Sequence, residues 1–411
     1  MTEAAPATFF RSRWVDAPAH AGELHPTALP RGFRAAGVAA GIKPEGLDVG
    51  VLASDAPETV SAARFTTNAR VGAPVIVSRE ADLHGLRAVA VNSGCSNVGD
   101  GRRGLETAVA MQAAAAGKLG LQPRQVGVAS TGVIGTELPR DAVVGGVRAA
   151  CDELGLDATA FSEAILTSDG GPKRACLEVH LRSGAVRLAA QAKGAGMISP
   201  RFATMFCFVE TDAALSADTL ELLTGVCVKR SFDRISVDGQ LSTSDSVFAF
   251  ASGASGVRVE PESEEELRLG EALDSLLRQL ALEIVADGEG AERVGRMVVR
   301  GRPDAVEPVA RSIAGSPLVK ASLHGGDANF GRILQAAGQA WPRGEPFIAD
   351  LEIEGRLLVS AGDVVEAAPA DLVDGSEVEY VLTMPGEGGE TEVFFSDLSP
   401  EYVRFNSGET T

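Results

Sequence analysis

The stretch AKGAGMISPRFATMFCFVETDA, residues 192–213, places a glycine-rich turn directly before an apolar, strand-like run that opens with Thr204. Gly194 and Gly196 permit strained and closely packed backbone, and Ala203 leaves the carbonyl before Thr204 with little steric cover. The residues alone also fit a glycine-rich hairpin that leads into a core strand, with Thr204 as an ordinary strand residue. Whether the turn is strained or an ordinary hairpin, the sequence predicts a β-strand from Thr204 onward.

Thr204 has a second potential role, as a nucleophile. A threonine hydroxyl can use the α-amine of its own residue as its base if that residue is the first of a chain. Such an amine has a pKa of about 7.7–8.0 in peptides, so a useful fraction is neutral at working pH. Thr204 is internal, so this chemistry requires a cut between Ala203 and Thr204, which the hydroxyl itself can begin by attacking the preceding carbonyl.

The composition limits what the chain can bind. It has 411 residues, of which 45% are hydrophobic, enough for about two or three globular domains. Its formal net charge of -19 argues against nucleic acid or an anionic membrane as partner and favours small-molecule ligands. The five cysteines form no C-x-x-C pair, which favours a reduced, cytoplasmic location. No apolar run reaches membrane-spanning length.

Short β-branched runs alternate with long Ala/Leu helices, a pattern that predicts mixed α/β architecture. We predict strands over residues 49–54, 73–78 and 87–93 and helices over 104–120 and 140–154. The prediction divides the chain into a loose N-terminal tail (1–27), a catalytic domain (28–290) and a smaller C-terminal α/β domain (291–411).

Two common kinds of site are disfavoured. GDGRRG (99–104) matches the G-x-G-x-x-G turn of dinucleotide-binding folds, but the next strand ends in VGVAST without the carboxylate that would hold the ribose. None of the five histidines is spaced as a metal-binding pair, and no G-x-S-x-G elbow accompanies them. The sequence therefore predicts neither a nicotinamide nor a metal site.

The segment K-G-A-G-M-I-x-P-x-x-A-T-M resembles the self-cleavage segment of the ornithine acetyltransferase (glutamate N-acetyltransferase) family of N-terminal-nucleophile enzymes. Further motifs resemble that family in the same order, from about residue 28 to the end of the chain. They are NSGCSN (92–97), ASTGVIG (129–135), LTSDGGPK (166–173), SFDRISVDG (231–239), STSDS (242–246), ADGEGA (286–291), SPLVKASLHGGDANFGRI (316–333) and YVRFNS (402–407). The resemblance implies an αββα sandwich of the aminopeptidase and ornithine acetyltransferase kind.

The resemblance also implies roles for individual residues. Thr204 corresponds to the nucleophile and the Ala203–Thr204 bond to the cleavage site, giving chains of 203 and 208 residues. Thr131 and Gly132 correspond to the family's oxyanion-hole pair, a role that is physically sensible because a turn after a strand can aim a hydroxyl and a backbone N–H at one point. Read without the family, they also fit a simple turn. The remaining correspondences are to substrate-binding positions, namely Thr167, Lys193, Glu289, Asn406 and Thr411. Read without the family, Lys193 also fits a solvated charge at the end of a strand, and Glu289 also fits part of a capped turn.

The implied reaction is ping-pong acetyl transfer between N-acetylornithine, or a related N-acetyl amino acid, and glutamate, or a related amino acid, in arginine biosynthesis. No cofactor is implied, although acetyl-CoA can serve some family members as donor. Two copies of each cleaved chain would form a heterotetramer.

Several motif positions depart from the family. Cys95 stands where the family commonly has Asn, Asp100 stands where it has Thr, and the runs VDGQLSTSD (237–245) and GGDANFGR (325–332) also differ. Because these loops are expected near the ligand, three alternatives stay open: a specialised-pathway paralogue with another acceptor, an amide hydrolase, and an uncut, non-catalytic paralogue.

Overall fold

The computed structural model describes residues 8–199, 205–369 and 371–408. The predicted cleavage bond between Ala203 and Thr204, and Thr411, lie outside these residues. The strands are β1 Ala21–Glu23, β2 Phe33–Val38, β3 Val49–Ser54, β4 Val60–Phe65, β5 Ala88–Asn92, β6 Val126–Ser130, β7 Lys173–Leu181, β8 Gly184–Lys193, β9 Phe206–Thr211, β10 Ile235–Ser236, β11 Ser246–Ala251, β12 Val294–Gly301, β13 Asp350–Ile353, β14 Arg356–Ser360, β15 Asp363–Val364, β16 Glu377–Thr383 and β17 Gly389–Ser396. The helices are α1 Ala73–Arg79, α2 Gly101–Leu119, α3 Arg140–Asp152, α4 Thr159–Ala164, α5 Ala217–Arg230, α6 Glu264–Ala286, α7 Pro303–Ala314, α8 Pro317–His324, α9 Phe330–Ala340 and α10 Pro400–Gly408.

Two sheets face each other across a common core. One has six strands in the order β1-β7-β8-β9-β11-β4, and the other has four in the order β2-β3-β5-β6. Successive side chains of a strand point to opposite faces, and β9 shows the result. Phe206 and Phe208 enter the core between the sheets, where they meet Leu52 and Val89 of the other sheet, whereas Cys207 faces away from it.

Helices cover the outer face of each sheet. The four-stranded sheet packs its outer face on α2 and α3, through residues such as Met111 and Val147. The six-stranded sheet packs its outer face on α5 and α6, through residues such as Leu220 and Leu276. The order of layers is therefore helix, sheet, sheet, helix, and the predicted αββα sandwich is confirmed.

A third sheet has seven strands in the order β10-β17-β12-β16-β13-β14-β15. Together with α7, α8 and α9 it encloses a separate apolar core. The predicted boundary near residue 290 falls between α6 and β12, but β10, which pairs with β17, comes from the chain before that point. No helix among the described residues is both long enough and apolar enough to cross a membrane.

Residues 73–78 form helix α1, so the strand predicted there is wrong. Gly72 caps the helix and Pro74 occupies its first turn, a position that suits proline because it needs no backbone donor. A short apolar run of valine and isoleucine fits a strand and a helix equally well, which explains the error.

The described part of the N-terminal segment, residues 8–27, is not the loose tail that the sequence predicts. Strand β1 pairs antiparallel with β7, and Val15 is buried in the core of the six-stranded sheet. The Arg13 guanidinium lies 2.5 Å from a carboxylate oxygen of Glu354, in the turn between β13 and β14 of the seven-stranded sheet. These contacts fix the segment, and composition alone did not indicate them.

Glu210 is a fully buried acid in β9, on the same strand face as Phe206 and Phe208. Its Oε2 accepts a hydrogen bond from the Gln191 amide at 3.2 Å. Burial raises the pKa of Glu210 well above its usual value, and the bond from Gln191 opposes that rise only in part. The folded chain therefore holds a proton that the unfolded chain releases at lower pH.

Glu210→Gln is expected to stabilise the protein increasingly as pH rises. A raised carboxyl pKa makes the folded state bind more protons than the unfolded state above about pH 4.3, so stability falls with pH by up to about 1.4 kcal/mol per unit. Glutamine removes this dependence. Urea unfolding of the wild type and of Glu210→Gln at pH 5 and pH 8 measures the two free energies of unfolding. Glu58→Gln, at an exposed position, is the control. A difference in stability between wild type and Glu210→Gln that is equal at both pH values contradicts the expectation.

Candidate active site

A cleft between the sandwich and the C-terminal helix α10 gathers polar side chains from separate parts of the chain. It contains six of the predicted site residues, and the other three, Ala203, Thr204 and Thr411, lie outside the described residues. The residues that line it are Ser96, Thr131, Gly132, Ile134, Thr167, Ser168, Lys193, Gly196, Met197, Asp238, Ser242, Thr243, Ser244, Glu289 and Asn406.

Thr131 and Gly132 form the turn that follows β6. The Thr131 N–H donates to the Asn92 carbonyl at 3.0 Å, so the turn continues the β5–β6 pairing. Gly132 has a φ of 125°, and a Cβ there would lie 2.4 Å from the carbonyl carbon of Gly94. Only glycine fits this position, and the turn is fixed against the neighbouring loop. A fixed hydroxyl and backbone N–H are what an oxyanion site requires.

Lys193, the last residue of β8, provides a buried positive charge in the cleft. It is 2% exposed, and its Nζ donates to the Thr167 hydroxyl at 2.6 Å. The same nitrogen lies 3.5 Å from the Thr131 hydroxyl oxygen. The reading of Lys193 as a solvated strand-end charge is therefore wrong, and the predicted oxyanion turn lies beside the predicted substrate-binding residues Thr167 and Lys193.

Asp169 holds this cation in place, and the sequence analysis did not single it out. Its carboxylate accepts hydrogen bonds from the Gly194 N–H at 2.6 Å, the Thr167 N–H at 3.1 Å and the Lys173 ammonium at 2.8 Å, and it lies 3.5 Å from Lys193. Burial favours the neutral acid, but Lys193 and Lys173 together lower the pKa of Asp169 below its usual value. Its place in LTSDGGPK, two residues after Thr167, was the available signal.

Glu289 provides a carboxylate in the same cleft, in the turn after α6. Its two oxygens accept hydrogen bonds from the Ser168 hydroxyl at 2.8 Å and from the Asn406 amide at 2.9 Å. A Cβ on Gly196 would lie 2.5 Å from Glu289 Oε1, so glycine is required beside it. Helix α10 packs closely against the next residue, Gly290, because a Cβ there would lie 2.6 Å from the Tyr402 nitrogen.

The cleft therefore contains a cation, Lys193, and a carboxylate, Glu289. The turn of Thr131 and Gly132, which carries hydrogen-bond donors, lies beside the cation. An amino acid with a positively charged side chain matches this arrangement, because its α-carboxylate needs a cationic partner and its side-chain ammonium needs an anionic one. Among the described residues, no group of three or more His, Cys, Asp or Glu side chains is placed to hold a metal ion.

The four-layer fold and this cleft define an enzyme of the N-terminal-nucleophile type. The sequence profile of the ArgJ family matches residues 34–411. The arginine biosynthesis bifunctional protein ArgJ of Symbiobacterium thermophilum is 39% identical over 393 residues, covering 93% of this chain and 98% of its own. That of Thermotoga neapolitana is 37% identical over 391 residues, covering 92% and 98%. The chain belongs to the ArgJ family, which confirms the resemblance found in the sequence.

Solved structures of similar proteins cover part of the chain. The ornithine acetyltransferase of Mycobacterium tuberculosis, solved in complex with ornithine, is 33% identical, with a TM-score of 0.41, and covers 45% of this chain and 99% of its own. The ArgJ protein of Bacillus halodurans is 34% identical, with a TM-score of 0.40, and covers 45% and 97%.

Proposed function

We propose that the chain cuts itself between Ala203 and Thr204 and then transfers an acetyl group through Thr204. The donor is N-acetylornithine or a related N-acetyl amino acid, and the acceptor is glutamate or a related amino acid. The observation that carries the proposal is the meeting of Thr131, Gly132 and Lys193 with Thr167, Glu289 and Asn406 in one cleft. The family supports it, because the ArgJ relatives are named for arginine biosynthesis.

Self-cleavage supplies the base for the later reaction. The Thr204 hydroxyl oxygen attacks the Ala203 carbonyl carbon, and the peptide C–N bond breaks as an ester forms. Water then hydrolyses that ester, which leaves Ala203 with a carboxylate and Thr204 with a free α-amine. That amine is the proton acceptor of the mature enzyme.

Acetyl transfer uses the same hydroxyl twice. The Thr204 oxygen attacks the donor's acetyl carbon while the α-amine takes its proton, and the Thr131 hydroxyl and the Gly132 N–H donate to the oxyanion. Collapse of the tetrahedral intermediate returns the proton to the leaving amine and releases ornithine. The glutamate amine then attacks the acetyl carbon of acetyl-Thr204, the Thr204 α-amine takes the proton it loses and passes it to the departing Thr204 oxygen, and the acetyl group leaves on glutamate.

Charge places the substrate in this scheme. Lys193 pairs with the α-carboxylate, and Glu289 receives the side-chain ammonium of ornithine.

The reaction needs no bound cofactor, and acetyl-CoA is a second donor to be tested. Two copies of each cleaved chain form the working assembly, which light scattering after gel filtration measures.

The test is acetyl exchange on purified protein. A panel of N-acetyl amino acids is offered with free amino acids, and labelled products are separated by chromatography. Transfer from N-acetylornithine to glutamate supports the proposal. Acetate released without an acceptor indicates a hydrolase, and another preferred acceptor indicates a specialised paralogue. A single uncut, inactive chain contradicts the proposal.

Glu289→Gln is expected to weaken ornithine-type donors while sparing glutamate. The variant loses the negative charge that pairs with the ornithine ammonium, a charged hydrogen bond that contributes roughly ten- to a hundredfold in kcat/KM. Glutamine can still accept from Ser168 through its amide oxygen, and its NH₂ group can donate to the Asn406 side-chain oxygen once that amide turns over, so the cleft keeps its shape. Steady-state kinetics with each substrate varied in turn measures the effect; an equal loss for both substrates contradicts the assignment.

A further inference from the structure

The loop between β10 and β11, residues 237–245, contacts the chain upstream of the predicted cleavage site. Asp238 accepts hydrogen bonds from the backbone N–H of Met197 at 2.7 Å and of Ile198 at 2.9 Å. In return, the Ile198 carbonyl accepts from the N–H groups of Val237 at 2.9 Å and Gly239 at 3.1 Å. The residues just before position 199 are therefore fixed by bonds in both directions.

The other end of the same loop contacts the chain downstream of the site. Asp245, which is 1% exposed, accepts a hydrogen bond from the Met205 N–H at 3.0 Å. The Ser246 N–H, at the start of β11, donates to the Met205 carbonyl at 3.2 Å. One loop, with an aspartate near each end, thus holds both flanks of the segment 199–204, which contains the predicted cleavage bond.

The upstream contact maintains an unfavourable backbone conformation. Met197 has a φ of 54°, in the left-handed region, which is unfavourable for a residue with a side chain. Asp238 binds the N–H groups of Met197 and of the next residue, so it stabilises this turn directly. Burial raises the pKa of Asp238, although three backbone N–H groups, those of Gln240, Met197 and Ile198, oppose the rise.

We propose that Asp238 is a positioning residue for self-cleavage. It holds Met197 in the left-handed conformation, and Asp245 holds Met205, so one loop fixes the backbone on both sides of the predicted cleavage bond. Fixed flanks raise the rate at which the Thr204 hydroxyl attacks the Ala203 carbonyl. The inference rests on the proposed self-cleavage and adds Asp238 as a residue that sets the rate of that cleavage.

The test is the rate at which newly made full-length chain is cut, followed on gels after a pulse of cell-free synthesis. Asp238→Asn keeps one of the acceptor oxygens for Met197 and Ile198 and loses the other, and we expect cleavage to slow roughly ten- to a hundredfold. Adding Met197→Gly removes the cost of the left-handed turn, because glycine adopts that conformation freely. The double variant should therefore recover part of the lost rate.

A matched control separates this effect from the general cost of replacing an aspartate. Asp212, 1% exposed and just beyond the far end of β9, accepts from the N–H groups of Arg187 at 2.7 Å and Arg31 at 3.4 Å. Asp212→Asn is expected to be cut at the wild-type rate. Equal slowing in this control contradicts the proposal.

Other outcomes also decide the matter. Asp238→Asn cut at the wild-type rate overturns the proposal, and so does a double variant no faster than the single one. Normal cutting with a raised KM makes Asp238 a substrate ligand instead, since it lines the cleft. A variant that fails to fold, judged by thermal unfolding, assigns Asp238 to the fold and also contradicts the proposal. If the wild-type chain itself stays uncut, the proposed function fails first.

Discussion

Thr204→Ala is expected to remain one chain of 42.4 kDa and to lose acetyl exchange completely. The substitution removes the hydroxyl that attacks the Ala203 carbonyl, so neither the cut nor the free α-amine can form. Both the nucleophile and its base are then missing, and the rest of the cleft cannot replace them. Intact-mass analysis and the exchange assay measure the two consequences on the same sample.

Thr204→Ser is the matched control for this variant, because serine keeps a hydroxyl at the same position. It should still be cut, with a slower rate, and retain measurable exchange. A Thr204→Ala protein that is found as two chains with normal turnover would rule out Thr204 as the nucleophile.

Thr131→Val is expected to lower kcat by roughly a hundred- to a thousandfold, the usual cost of one lost oxyanion donor. Valine has nearly the shape of threonine, and Gly132 still supplies its N–H from the fixed turn. Self-cleavage should slow as well, since its tetrahedral intermediate uses the same donors. Steady-state kinetics and the cleavage rate measure both effects.

Thr136→Val serves as control, because Thr136 is an exposed residue of the same turn region whose hydroxyl contacts Cys95 Sγ at 3.5 Å. It should leave both rates near wild type. A Thr131→Val enzyme with unchanged kcat, or with a loss confined to KM, would contradict the oxyanion assignment.

The sequence predicted the layers of the fold well where hydrophobic period and length agree. Helix α2 is long enough that only a helix fits it, whereas strand β3 is a short apolar run for which a strand was one of two possible structures. Helix α1 was missed because a short apolar run has no distinct period, and only Pro74 near its start favours the helix. The N-terminal segment was missed because its order comes from contacts with β7 and Glu354, which lie far away in the chain.

The site could be predicted only where a motif marked it. Lys193 and Glu289 are ordinary residues in their own segments, and the resemblance, not their spacing, indicated that they meet. Asp169 and Asp238 lie inside two other motifs, LTSDGGPK and SFDRISVDG, and went unnoticed because they act by accepting backbone N–H groups. Such a role depends on where the backbone of another segment lies, which one sequence does not reveal.

A new chain start at Thr204 is the central claim, and N-terminal sequencing of the purified, active protein tests it most directly. Two starts are expected in equal amounts, that of the uncut chain and a second that reads TMFCF. Active protein that yields only the original start would contradict it.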